Sequence, residues 1–357
     1  MNTKTILAGM VLSGLVLTGA AQAQNSRPLV IAEQGTFAAG GTVVPAQETY
    51  NPLKPVPAGQ TLHGDHADVL YQIPENARKY PLVFLHGAGQ SRRTWQTTPD
   101  GREGFQNIFL RRGFGVYLVD QPRRGDAGRS TIPGEIPAAP DEQFWFGQFR
   151  IGLWPDVFPG SQFAADDNSL NQFFRQMTPN TGGYDADVIA DAMAAALEKS
   201  GDAILVTHSQ GCGPGWLTAM RSDKVRAVVA YEPGSGFVFP EGEVPEAMEN
   251  SSFFGPFSAG AVPLEKFRAL TRMPVVIFYG DNIPDSPVAQ PHQDYWRCAL
   301  QMARLWAEAV NRHGGDVTVI HLPEKGLHGN THFMFSDRNS AAVADLLSQW
   351  LHDRNLD

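Results

Sequence analysis

Residues 203–213 read Ala203-Ile-Leu-Val-Thr-His-Ser-Gln-Gly-Cys-Gly213, an apolar run that passes straight into a serine bracketed by small residues. The pattern predicts a buried strand, a sharp turn carrying Ser209, and a helix that follows at once. A serine in such a turn is held in a strained backbone that lifts its hydroxyl above the sheet edge, which demands small neighbours two positions to either side. Gly211 meets the demand. Thr207 stands where glycine is usual. Ser209 is therefore read as a nucleophile despite that departure, because an S-x-G string between a buried strand and a helix is not a chance placement.

Working outward, similar apolar runs recur at 81–85, 115–120, 226–231, 274–279 and 317–322, with further extended pieces at 36–44 and 67–73. Runs without alternation suit strands covered on both faces. Helical patterns at 187–200, 213–221, 293–312 and 340–354 separate most of them. Strand and helix in alternation predict an α/β fold with a mainly parallel sheet and helices on both faces. One stretch breaks the rhythm: about sixty residues, 128–187, lie between a strand end and the next amphipathic helix. That is too long for an ordinary connection. Its aromatic residues Phe144, Trp145, Phe146, Phe149, Trp154, Phe158 and Phe163 predict a packed insertion, read as a cap over a binding site. The Gly- and Phe-rich stretch 234–260 is expected to extend that roof.

A serine hydroxyl needs a base to take its proton and a third group to orient the base. In the chain order nucleophile, acid, histidine, the base belongs in the loop after the last strand, which reads Gly326-Leu-His-Gly-Asn-Thr-His332. His328 and His332 both qualify, and periodicity does not choose between them. The acid most often follows the penultimate strand by three residues beyond a glycine. Here that position holds Ile283, with Asp281 and Asp285 nearby but off register. One strand earlier, Glu232 sits at the carboxyl end of a buried strand, where open α/β sheets assemble their sites, and it is the preferred acid. The developing oxyanion needs backbone donors, expected from Gln210, which follows the nucleophile, and from Ala88 in the loop after His86-Gly87. No GxGxxG or GxxxxGK[ST] string accompanies these glycines, so nucleotide binding is not expected. His63 and His66 make an isolated pair, read as a surface turn rather than a metal site. His86 and His208 flank the proposed site with hydrogen-bonding or shape roles.

These residues resemble more than a general scheme. His86-Gly87, Thr94-Trp-Gln-Thr-Thr-Pro-Asp-Gly-Arg102, Val119-Asp-Gln121, His208-Ser-Gln210, Glu232-Pro-Gly234 and His328-Gly-Asn-Thr-His332 together are similar to the bacterial secreted carboxylesterases of the 713 esterase family, divergent α/β-hydrolases. The likeness runs from about Tyr80 to the C-terminus. It implies an α/β-hydrolase fold with Ser209 as nucleophile, Glu232 as the acid after the sixth strand, His332 rather than His328 as base, and Ala88 and Gln210 as the oxyanion hole. The family's pattern carries two adjacent cysteines after the first His-Gly, where this chain has Ala88 and Gly89. The expected activity is that of a serine esterase working through an acyl-enzyme, without metal or organic cofactor. A lactonase, amidase or polyester depolymerase would use the same groups, and a non-catalytic binding protein would keep the fold without them.

The whole chain agrees with a globular hydrolase. Its 357 residues are 42% hydrophobic and 10% aromatic, enough for a large core, and 28 basic against 37 acidic side chains give a net charge of −9. That balance argues against nucleic acid as a partner and leaves a small or polymeric ester as the expected one. Lys4, an apolar run to about Ala20 and the small-x-small Ala21-Gln-Ala23 read as a signal peptide, 1–23, cleaved before Gln24. No later stretch approaches the roughly 20 apolar residues a bilayer demands. The expectation is one domain, 24–357, exported to the periplasm or beyond with no membrane anchor. The oligomeric state, a homodimer included, stays open. Cys212 and Cys298 would allow one disulfide or two buried thiols.

Overall fold

The computed structural model describes residues 28–357. The expected signal peptide at 1–23 lies outside the described residues. Eight strands form the main sheet: β1 (Ile31–Pro45), β2 (Thr61–Pro74), β3 (Leu82–Leu85), β4 (Val116–Asp120), β5 (Ala203–His208), β6 (Val225–Tyr231), β7 (Pro274–Tyr279) and β8 (Asp316–His321). Their order is β1-β2-β4-β3-β5-β6-β7-β8. Only the β1–β2 and β2–β4 pairings are antiparallel; every other neighbour runs parallel. The central strands β3 and β5 are buried along their whole length, which is why they read as unbroken apolar runs.

Helices cover both faces. Val83 and Leu85 of β3 join a cluster with Ile189 and Met193 of α4 (Ala186–Ser200), Trp216 of α5 (Cys212–Arg221) and Trp306 of α6 (Pro291–Arg312). Phe84, between them in the strand, points the other way and packs on Trp95 and on Phe109 of α1 (Phe105–Arg111). That alternation is the period-two pleat of a strand with a core on each side. The Arg112 guanidinium, just past α1, donates to Ala344 O and Ser348 Oγ of α7 (Ser340–His352), tying the second layer together.

Several expectations need adjustment. The leading pair is much longer than 36–44 and 67–73: its ladder runs from Ile31↔Pro74 to Pro45↔Thr61. Much of β1 is solvent-facing at the sheet edge, so no alternation betrayed its extent. His63 and His66 lie within β2 rather than in a turn, and among the described residues no group of three or more metal-ligating side chains occurs. Cys212 and Cys298 are both buried free thiols, so the disulfide they would allow is not formed. The 128–187 stretch folds into α2 (Glu142–Gln148), a small hairpin of Gly152–Leu153 with Asp156–Val157, and α3 (Asp167–Gln176) before α4 begins. Asp166 caps α3 by accepting from Ser169 N, and Asp185 caps α4 by accepting from Asp187 N and Val188 N. In the 234–260 stretch, Val238–Pro240 pairs in parallel with Gly260–Val262. No described helix is long and apolar enough to cross a membrane.

Candidate active site

Ser209 directly follows β5 with φ +53°, a left-handed conformation that disfavours any residue with a Cβ, and leads through one tight turn into α5. The turn is possible because three glycines admit close backbone approach. A Cβ on Gly87 would come 2.7 Å from Ser209 Cβ, and one on Gly211 would collide with the His86 carbonyl oxygen. The third explains the departure at Thr207: a Cβ on Gly215 of α5 would lie 2.6 Å from Thr207 Cγ2. The space a glycine at 207 would normally leave is here supplied by the helix.

Glu232 directly follows β6, also at positive φ (+52°), with its N–H bonded to Phe278 O. Its carboxylate is wholly buried and fully partnered: Gly280 N donates to Oε1 at 2.6 Å, Arg150 Nη1 to Oε2 at 2.7 Å, and Arg150 Nη2 to Oε1. His332 Nδ1 meets Oε2 at 2.7 Å. Burial alone would raise this carboxyl, but the Arg150 charge and the His332 bond outweigh it and bring it down to about 2. Glu232 is thus ionised near neutral pH.

With Nδ1 donating to that carboxylate, His332 carries its lone pair on Nε2, which is buried and has no hydrogen-bond partner among the described residues. The ring stacks on Phe149 at 5.4 Å and lies 4.5 Å from the Trp296 ring. Its backbone is held as firmly: His332 N donates to Phe149 O, and His332 O meets His208 Nε2 at 3.0 Å. Downstream, the buried Asp337 carboxylate reaches back to accept from Thr331 N, Thr331 Oγ1 and Asn330 Nδ2. Burial lowers the imidazole from its ordinary value, against the pull of Glu232, so the ring is neutral near pH 7.

The other candidates fall elsewhere. His328 has a side chain 69% exposed and faces Asp281 Oδ2 at 3.6 Å, outside the buried cluster. Asp281 itself accepts from Gly329 N, Asp285 is exposed, and Ile283 at the usual acid position is buried. His86 and His208 are fully buried; desolvation, aided by Arg124, holds His86 at about 3, and desolvation with His332 holds His208 well below the ordinary range.

Ser209, His332, Ala88 and Gln210 line one cavity of about 370 Å³. Trp145 and Phe149 from the insertion, Phe254 and Phe257 from the 234–260 stretch, and Tyr295 and Trp296 from α6 supply its aromatic wall. Both long stretches therefore border the cavity, as a roof would. A second cavity, about 580 Å³, shares Ala88, Trp145 and Gln210 with the first. Chemically, a hydroxyl and an unbonded imidazole nitrogen backed by an ionised carboxylate suit proton abstraction from the hydroxyl. Sequence reasoning missed Arg150 and Asp337, and it placed Phe149 in the insertion without foreseeing its stacking on His332. Arg150 reaches Glu232 across 82 positions from a segment with no periodicity, and the sole hint was a lone cation closing the aromatic run Phe144-Trp-Phe-Gly-Gln-Phe149.

Comparison with known proteins agrees with this architecture. The model of the alpha/beta hydrolase family matches residues 82–352. A protein described as a probable secreted lipase phiG, from Fungal sp. (strain ATCC 74256), is 26% identical over 318 residues, covering 78% of this chain and 84% of its own. The atomic-resolution structure of a novel bacterial esterase superposes with a TM-score of 0.74 at 28% identity, covering 93% of this chain and 98% of that one.

Proposed function

The chain belongs to the alpha/beta hydrolase family, and from that membership we propose that it is an exported serine esterase with a Ser209–His332–Glu232 triad. The observation that carries the reading is His332, bonded through Nδ1 to an ionised, buried Glu232 while Nε2, unbonded, belongs to a residue lining the cavity with Ser209. The secreted-lipase and bacterial-esterase relatives support the reaction class.

In the first half-reaction, Ser209 Oγ bonds to the ester carbonyl carbon while His332 Nε2 takes the hydroxyl proton, and the carbonyl electron pair moves onto oxygen. The N–H groups of Ala88 and Gln210 receive that oxyanion. Collapse breaks the bond to the alkoxy oxygen, which leaves as alcohol with the proton from Nε2. Water then repeats the sequence on the acyl-enzyme, its proton passing through His332 to Ser209 as the acid departs. Glu232 keeps its proton count throughout: it fixes the imidazole tautomer and stabilises the imidazolium. The aromatic wall favours esters with an apolar group. Export rests on the leader pattern at 1–23 and the secreted relative, and the mature N-terminus should be Gln24 by mass spectrometry.

A fluorophosphonate probe tests the central claim. Wild type should be labelled at Ser209 and Ser209→Ala should not; an unlabelled wild type would make the protein a binding module that kept the fold.

A further inference from the structure

Arg124 is 3% exposed, yet its guanidinium spends both of its hydrogen bonds on uncharged groups: Nε on Asn180 Oδ1 at 2.8 Å and Nη1 on Gly87 O at 2.7 Å. Among the described residues no carboxylate comes within 4.0 Å of it, whereas its chain neighbour Arg123 grips Asp65 with two bonds. Burying a cation without a counter-ion is costly, so the position demands a compensating anion or a strong dipole. The dipole is the Gly87–Ala88 peptide. Its carbonyl takes a second donor, because His86 Nε2 accepts from Gln121 N at 3.3 Å and so leaves the imidazole proton on Nδ1, 3.1 Å from Gly87 O. Carbonyl and N–H of one trans peptide point in opposite directions. A carbonyl pinned from behind by Arg124 and His86 therefore aims the Ala88 N–H away from them, and that N–H has no acceptor among the described residues while Ala88 lines the cavity with Ser209.

We propose that Arg124 is the positioning residue of the oxyanion site: it fixes the Gly87–Ala88 peptide plane and polarises it, so that the Ala88 N–H is a stronger donor to the negative oxygen formed at Ser209. The inference rests on the reading of Ala88 as an oxyanion donor. A cation on the carbonyl end strengthens donation at the amide end, because hydrogen bonds in a chain polarise one another. The missing counter-ion of Arg124 is then the oxyanion itself, present only during turnover. The effect belongs to the transition state and not to substrate binding. Burial lowers the guanidinium to about 10, with Tyr184 and Asp120 opposing, so it stays charged over the working range.

The test compares wild type with Arg124→Gln on an activated ester and with two inhibitors of equal shape. A trifluoromethyl ketone becomes an anionic adduct on Ser209, and the matching methyl ketone remains neutral. Arg124→Gln should lower kcat by about tenfold or more, below the roughly 10²–10³ of losing an oxyanion donor outright, with KM within about twofold. Trifluoromethyl ketone affinity should fall by the same factor while methyl ketone affinity and the acidic limb of the pH profile stay put. A rise in KM alone, or equal weakening of both ketones, would make Arg124 a substrate contact of the second cavity, which it also lines. If Arg124→Gln does not fold, Asn180→Ala, which frees the Nε side of the same guanidinium, should give a smaller loss of the same signature; unchanged trifluoromethyl ketone affinity there overturns the inference. An unlabelled wild type in the fluorophosphonate assay overturns the function and this inference together, whereas a labelled wild type with an indifferent Arg124→Gln overturns the inference alone.

Discussion

Arg150 and Glu232 form a bidentate ion pair in which neither side chain touches solvent, both being 0% exposed. The pair joins the insertion to the sheet: Arg150 follows α2, and Glu232 directly follows β6. Arg150 also donates through Nε to Asp281 O and lies over the Trp296 ring, so its fork is held in one orientation.

Arg150→Met should be strongly destabilising, because it strands a buried carboxylate; breaking such a pair costs about 3–5 kcal/mol. The acidic limb of kcat/KM should move to higher pH as well. Arg150 lowers both the Glu232 carboxyl and the His332 imidazole, so without it either group takes up a proton sooner. Urea unfolding and a pH–rate profile read the two effects separately, and Arg150→Lys, which keeps the charge without the fork, should fall between. An Arg150→Met enzyme with an unmoved limb would leave Arg150 a purely structural clamp.

His332→Ala should cost on the order of 10⁴ in turnover, as expected of a triad base, while His328→Ala should leave kcat within about twofold. Glu232→Gln removes the negative charge that fixes the imidazole tautomer and should cost a similar order to His332→Ala. The reverse pattern for the two histidines, measured on one ester under saturating conditions, would move the base to the exposed loop and the acid to Asp281.

Stability should fall as pH drops below about 6.5. His86, His208 and His332 are all buried with folded-state values below their ordinary 6.5, so the unfolded chain binds protons that the fold refuses. Each contributes up to about 1.4 kcal/mol per pH unit on the acid side of 6.5. Asp337 acts with the opposite sign: burial raises its carboxyl to about 7 against the donors of Thr331 and Asn330, so its contribution is full below 3.8 and lost as pH rises through 7. Asp120, whose carboxyl burial also raises, acts in the same sense as Asp337. Because the three histidines outnumber these two carboxyls, the free energy of unfolding between pH 4 and 6.5 should rise with pH. A flat profile across that window would mean that one or more of the buried imidazoles is charged in the fold.

Much of this was legible in residue order because buried parallel strands announce themselves. The run 203–208 and the run 225–231 mark their own carboxyl ends, and the candidate nucleophile and acid sit at those ends. The choice between His328 and His332 was not legible from spacing, since both lie in one loop; it depends on which imidazole turns inward, and only packing against Phe149 and Trp296 records that. Arg150 and Arg124 were invisible for a related reason. Each acts on a group far away in the chain, Glu232 in one case and Gly87 O in the other, from segments with neither helical nor strand periodicity to anchor a prediction.

The threonine at 207 offers the sharpest check on how the elbow tolerates an unusual residue. Its methyl occupies the space that Gly215 leaves open, so Gly215→Ala should destabilise by about 1–3 kcal/mol, the cost of overpacking a rigid core, despite the better helix propensity of alanine. Thr207→Ser removes that methyl and keeps the hydroxyl that donates to Cys212 Sγ. The double variant should therefore be more stable than Gly215→Ala alone, giving a favourable coupling in a thermodynamic cycle. Additive losses would mean that the helix and the strand do not share this space, and that Thr207 is accommodated by a shift of the backbone around Ser209.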